Sequence, residues 1–181
     1  MKRRALVLAL AVLIVAGFSG CLDGDDGGDG GDGGYNITSP VSELIVGESD
    51  FPEWHSWEGE GYATPVDDYE DFAVDHFIDA ENRSEANNSM VVLLMEFDGF
   101  EDANGTYDRI LAEHEMDDPQ PIELGSEGSY FESNDGESIQ IFFKKYRYVT
   151  AVYYNNLAGD PISIQELKEL VEIQQDKIHF E

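Results

Sequence analysis

Apolar and polar positions divide the chain into three stretches. Residues 5–18 are apolar almost throughout, residues 22–34 are nearly all Gly and Asp, and from residue 35 short apolar runs recur between polar turns. Within the third stretch, Met90 to Phe97 (MVVLLMEF) is a short run bounded by the turn-forming Asp98-Gly99, which predicts a strand. Asp71 to Ile78 sets Phe72, Val74, His76 and Ile78 against Asp71, Ala73, Asp75 and Phe77, a period of two that suggests a strand, with a helix as the alternative. Val41 to Val46 is a short apolar segment, and Trp54 to Tyr62 fits an edge strand interrupted by Gly59 and Gly61.

Further on, Tyr130 to Glu132, Ser138 to Lys144 and Arg147 to Asn155 predict a β-meander. Asn134-Asp135-Gly136 would form its first turn and Lys145-Tyr146 the tip of its second. Two helices complete the pattern. Asp98 and Glu101 have capping-box spacing ahead of a helix with Ala103, Tyr107, Ile110, Leu111 and His114 on one face, ending before Pro119. Ser163 and Glu166 repeat that spacing ahead of a last helix with Ile164, Leu167, Leu170, Val171 and Ile178 on one side. Runs of adjacent strands favour an α+β fold: an antiparallel sheet of about five or six strands with two helices packed on one face.

The first two stretches are not fold. Lys2-Arg3-Arg4 precedes an apolar run of 14 residues, too short to span a bilayer but right for the core of a signal peptide. Phe18-Ser19-Gly20-Cys21 resembles a lipoprotein cleavage motif, although Phe18 departs from its aliphatic first position. That resemblance implies removal of residues 1–20, a lipid on the Cys21 thiol and a domain held on the extracytoplasmic face of the cell membrane. Arg3-Arg4 ahead of Ala5-Leu6-Val7 also resembles a twin-arginine export signal, with an ordinary charged leader as the alternative. Leu22 to Gly34 reads as a flexible tether, its 13 residues spanning roughly 20 Å on average. It lacks the ligand spacing of an EF-hand, since Gly27 and Gly34 stand where acids are needed. One extracytoplasmic domain, residues 35–181, remains.

Charge narrows the partners. The chain has 39 acids against 10 Lys and Arg, and without Lys2, Arg3 and Arg4 seven cations remain, a net −32. Such a surface repels phosphates, so nucleic acid is not an expected partner. Acids spread along the whole domain resemble the surfaces of haloarchaeal proteins, where dense carboxylates stay hydrated in high salt. Lys144, Lys145 and Arg147 form the one basic cluster, read as local neutralisation ahead of a docking point for an acidic partner. The single cysteine, Cys21, leaves the domain without a disulfide or thiolate metal site.

Candidate chemistry is sparse. His55, His76, His114 and His179 show no metal-ligand spacing, and Gly125-Ser126-Glu127-Gly128 is too short on both sides for a nucleophile elbow. No cofactor, metal or catalytic residue is therefore expected. Trp54, His55, Trp57 and Tyr62, beside Phe51, form an aromatic cluster read either as one end of the core or as a binding surface. Asn36, Asn82 and Asn87 begin Asn-x-Ser/Thr sites open to N-glycosylation in an exported chain, whereas Asn104 falls in a predicted helix. The layout also resembles small α+β domains of exported lipoproteins of unknown function, which transfers no site residue. The expectation is a lipid-anchored binding or accessory domain with an envelope-protein partner; the alternatives are an extracytoplasmic hydrolase using carboxylates and, less suited to this length, a two-lobed solute receptor.

Overall fold

The computed structural model describes residues 39–57, 66, 68–114, 118–133 and 136–179, all within the compact unit Tyr35–Glu181. The leader, Cys21, the tether, Asn36, Tyr62 and the predicted Asn134-Asp135 turn lie outside them. One antiparallel sheet dominates: β1 (His55–Ser56), β2 (Asp71–Ile78), β3 (Asn88–Glu96), β4 (Gln120–Pro121), β5 (Glu127–Ser133), β6 (Ser138–Lys145) and β7 (Tyr148–Asn156). Its order is β1-β2-β3-β7-β6-β5-β4, so seven strands stand where five or six were expected. β1 falls within the expected Trp54–Tyr62 edge strand, reduced to two residues, and the strand not expected is β4 at the other edge, too short to leave a periodic signal. Pro121 sits in β4, where a missing N–H costs no ladder bond.

The helices α1 (Val41–Leu44), α2 (Phe100–Glu113) and α3 (Ile164–Lys177) correct the expected layering. They do not share one face. Ala103, Tyr107 and Ile110 of α2 pack with Val91, Leu93 and Met95 of β3. Val41 and Leu44 of α1 and Leu167 and Val171 of α3 pack with Met90, Val92 and Leu94, the alternate positions of the same strand. Side chains on a strand point to opposite faces in turn, so β3 is covered on both sides and the domain has three layers. The physical reason is the connection. The chain leaves β3, crosses over β6 and β7 as α2, and enters the far edge at β4; after β7 it returns as α3 across the other face.

Polar groups fasten this second layer. Gln174, fully buried on α3, accepts from Val46 N–H at 2.9 Å and donates to Leu44 C=O at 3.1 Å, tying the α1 segment to α3. Tyr154 OH donates to Asn88 Oδ1 and accepts from Ile162 N–H at 3.0 Å, pinning the link from β7 to α3 onto β3. At the β6–β7 tip Lys145 pairs with Tyr148, so Tyr146-Arg147 forms the two-residue turn, one position beyond the predicted tip, with Tyr146 at φ 60°.

Candidate functional site

The strand register builds a shelf on the α2 side of the sheet. Phe131, Gln140, Tyr153, Val91 and His76 are successive cross-strand partners in one row. The next row is Ser133, Ser138, Asn155, Ser89 and Ile78. Partners in register project to the same face, and Phe131 and Val91 identify that face as the one under α2. Neither row contains an Asp, Glu, Lys or Arg. Gln140, Tyr153, His76, Ser133, Ser138, Asn155 and Ser89 are all half-exposed, whereas Phe142, Ala151 and Leu93, at the centre of the row under the body of α2, are fully buried.

The shelf begins where α2 stops, and His114 fixes that point. Its Nδ1 lies 2.9 Å from the Ile110 carbonyl oxygen and its Nε2 2.9 Å from Gln140 Oε1. The ring stacks on Phe131 at 4.5 Å and meets Phe142 edge-on at 5.2 Å. The last turn of the helix is thus anchored to the inner border of the shelf. Tyr153 meets Phe142 edge-on at 5.8 Å and carries its ring outward from there.

Trp57 closes the other end. Its backbone N–H donates to the His76 carbonyl at 2.8 Å, its ring meets His76 edge-on at 6.3 Å, and the Arg83 guanidinium lies 4.2 Å from its ring centroid. Burial holds the His76 imidazole below its ordinary value against the pull of the Asp75 charge, so the ring is neutral near pH 7. Aromatic faces, amides, hydroxyls and a neutral imidazole suit stacking and hydrogen bonding to an uncharged polar ligand.

The sequence cluster Trp54, His55, Trp57 and Tyr62 separates along these lines. Trp54 is 7% exposed and lies in the core on the α3 side, as does Phe51, which packs edge-on against Phe77 at 5.0 Å. His55 and Trp57 alternate away from Trp54. His55 is the cross-strand partner of Ile78 and so continues the second row, with its Nδ1 3.1 Å from Glu48 Oε1, while Trp57 stands beside His76 at the end of the first. Gln140, Tyr153, Asn155 and Ser89 were not distinguishable in the sequence, because the register that aligns them joins β2, β3, β7, β6 and β5 across up to 68 positions of chain.

Every Lys and Arg of the domain has a partner. Lys144, 8% exposed, pairs with Glu127 at 2.8 Å and lies over the Tyr107 ring; Lys145 donates to the Gln175 carbonyl at 2.8 Å; Arg147 pairs with Glu96. The basic cluster is therefore divided among three internal contacts. Arg109 pairs with Asp68, Lys168 with Glu172 and Lys177 with Asp50, which leaves Arg83 over Trp57. At the opposite end of β3 from Ser89, a hydrogen bond with Asp98, a slight loss of solvent and the nearby Asp98 and Glu96 charges raise the carboxyl of the exposed Glu70. Among the described residues no group of three or more His, Cys, Asp or Glu is placed to hold a metal ion, and no helix is long and apolar enough to cross a membrane.

No protein-family model, curated protein or solved structure matches the chain.

Proposed function

We propose that the chain is an exported protein, lipid-anchored through Cys21 on the extracytoplasmic face of a cell membrane. There it acts as a non-catalytic binding or accessory domain in high salt. The observation that carries the binding role is the shelf: two rows without a carboxylate, Lys or Arg, whose polar side chains and Tyr153 are half-exposed around the buried Phe131, Val91 and Ile78, on a domain whose surface is otherwise crowded with carboxylates. An acidic body keeps anionic polymers away, while the shelf offers hydroxyl, amide and aromatic groups to a neutral sugar chain or to a polar, uncharged surface of an envelope protein. The pattern of leader, Gly/Asp tether and acidic domain supports the haloarchaeal-type lipoprotein resemblance.

Two measurements test this. Trp57 fluorescence, followed in molar KCl while neutral oligosaccharides are added, should change saturably in the wild type and not in Tyr153→Ala or Gln140→Ala. Identical titrations in all three proteins would remove the shelf from the account. For the anchor, Cys21→Ser should leave the membrane fraction; a variant that stays in the pellet with unchanged precursor mass would refute lipidation.

Among the described residues, the pairing of Glu70 with Asp98, whose hydrogen bond and charge raise the Glu70 carboxyl, is the arrangement that favours a hydrolase, because a carboxyl raised by a neighbouring carboxyl is suited to proton transfer. Glu70 and Asp98 are both exposed. Hydrolytic activity lost in Glu70→Gln with binding at the shelf unchanged would establish that second reading.

A further inference from the structure

Four Asn-x-Ser/Thr sites occur, at Asn36, Asn82, Asn87 and Asn104. The three within the described residues differ sharply in what surrounds them. Asn82, Arg83 and Ser84 are all exposed and occupy a surface turn between β2 and β3, closed by Glu85 N–H to the Asn82 carbonyl at 2.9 Å and Ala86 N–H to the Arg83 carbonyl at 3.3 Å. Among the described residues neither the Asn82 amide nor the Ser84 hydroxyl has a hydrogen-bond partner.

Asn87 is itself exposed, but its backbone and the rest of its motif, the buried Asn88 and half-buried Ser89, are built into the fold. Its N–H donates to Asp79 Oδ1 at 2.8 Å, its carbonyl accepts from Leu157 and Ala158, and its Ser89 lies inside β3 between Ile78 and Asn155. A Cβ placed on Gly159 would sit 3.6 Å from Asn87 Oδ1, so the amide lies against that loop. Asn104 is in the middle of α2, its Oδ1 buried, and its Thr106 is 5% exposed. A transferase must reach the asparagine amide and the hydroxyl two residues on together, with the backbone between them accessible. Of the three, only the turn allows this without unfolding a strand or a helix.

We infer that Asn82 is a site of N-glycosylation in the folded, exported protein and that Asn87 and Asn104 are not. The inference rests on the export reading. In the transfer, the anomeric carbon of a sugar carried on a lipid phosphate forms a bond to Asn82 Nδ2. Its bond to the phosphate oxygen breaks, and the amide nitrogen gives one proton to the departing lipid phosphate. Arg83, the middle residue of the motif, holds its guanidinium over Trp57, so the sugar stands at the border of the shelf.

The test is the mass of the full chain purified from membranes of cells that export it, with peptide fragmentation across residues 78–90. A hexose-bearing chain on Asn82, lost in both Asn82→Gln and Ser84→Ala and kept in Asn87→Gln, is the expected result. An unmodified Asn82 at full peptide coverage, or a mass lost in Asn87→Gln instead, overturns it. The N-terminal peptide of the same sample tells whether the export reading falls too: a chain starting at a lipidated Cys21 with a bare Asn82 refutes the glycosylation alone.

Discussion

Gln174 is a buried amide with both of its ends in use, and its value lies in the groups it satisfies. Val46 N–H and the Leu44 carbonyl would have no other partner under α3. Replacing the amide with leucine keeps most of the volume and leaves both backbone groups desolvated, so Gln174→Leu should cost about 2–4 kcal/mol in denaturant unfolding. A loss within a few tenths would mean that water reaches them. Asp75 is the opposite case. Burial raises its carboxyl, the Glu48 charge adds to this, and the His76 N–H bond and the nearby ring oppose it. The folded state then holds the proton at a pH where the unfolded chain has released it, so Asp75's contribution is most favourable at low pH and declines as pH rises above the ordinary carboxylate value. Asp75→Asn, which can still accept from His76 N–H, should raise the melting temperature at about pH 7, with the gain shrinking toward about pH 4. His76 has the reverse sign, since burial lowers it, and comparing variant with wild type at each pH removes most of its share. A variant less stable at neutral pH would show that the carboxylate gains more than its burial costs. None of this was legible residue by residue: Trp54 and Trp57 look alike in sequence, and the alternation of the backbone at β1 sends one into the core and the other to the shelf.

Helix α3 carries a reciprocal cap that its sequence announced. The Ser163 hydroxyl accepts from Glu166 N–H at 3.2 Å, and Glu166 Oε2 accepts from Ser163 N–H at 2.8 Å. The same spacing at Asp98 and Glu101 forms no box, because the backbone enters α2 one residue later, with an extended Gly99 at the N-cap. Ser163→Ala should therefore cost about 1 kcal/mol in thermal unfolding, and a neutral outcome would mean that packing alone sets the start of α3. Within α2, Gly105 is exposed and a Cβ there meets nothing within 4 Å, so Gly105→Ala should gain about 0.5–1 kcal/mol. The strands were legible where runs are long: Asp71–Ile78 matches its predicted bounds, and β3, β6 and β7 fall where their apolar residues do. The layering was also written there. Met90 to Met95 does not alternate, and an unbroken apolar strand needs cover on both faces, which one layer of helices cannot supply. β1 lies within the predicted edge strand, β4 is too short for any local period, and the cross-strand rows of the shelf depend on pairing over long separations, which local pattern does not encode.

At the scale of the whole molecule, cations and acids behave differently. Each of the domain's seven Lys and Arg side chains is committed to an internal contact, several of them bridging elements, as Lys177 bridges α3 to Asp50 and the Ile45 carbonyl. The acids far outnumber them, and those on the outer faces of the helices, such as Asp108 and Glu113 on α2, are exposed. Repulsion among such charges opposes the compact state and is felt over a screening length of about 10 Å in 0.1 M salt, falling to about 3 Å at 1 M. The melting temperature should thus climb steeply as KCl is raised over that range, at roughly 3–4 °C for each kcal/mol of repulsion removed in a domain of this size. Sucrose at matched osmotic strength, which excludes itself from surface without screening charge, should give a smaller rise. Neutralising two unpaired positions in Asp108→Asn/Glu113→Gln should flatten the KCl curve by raising its low-salt end. A flat KCl response in the wild type would mean that the acids are spaced widely enough not to oppose folding, and it would remove the physical ground for reading this surface as an adaptation to high salt. A steep KCl response that the double variant leaves unchanged would place the repulsion in acids elsewhere on the domain.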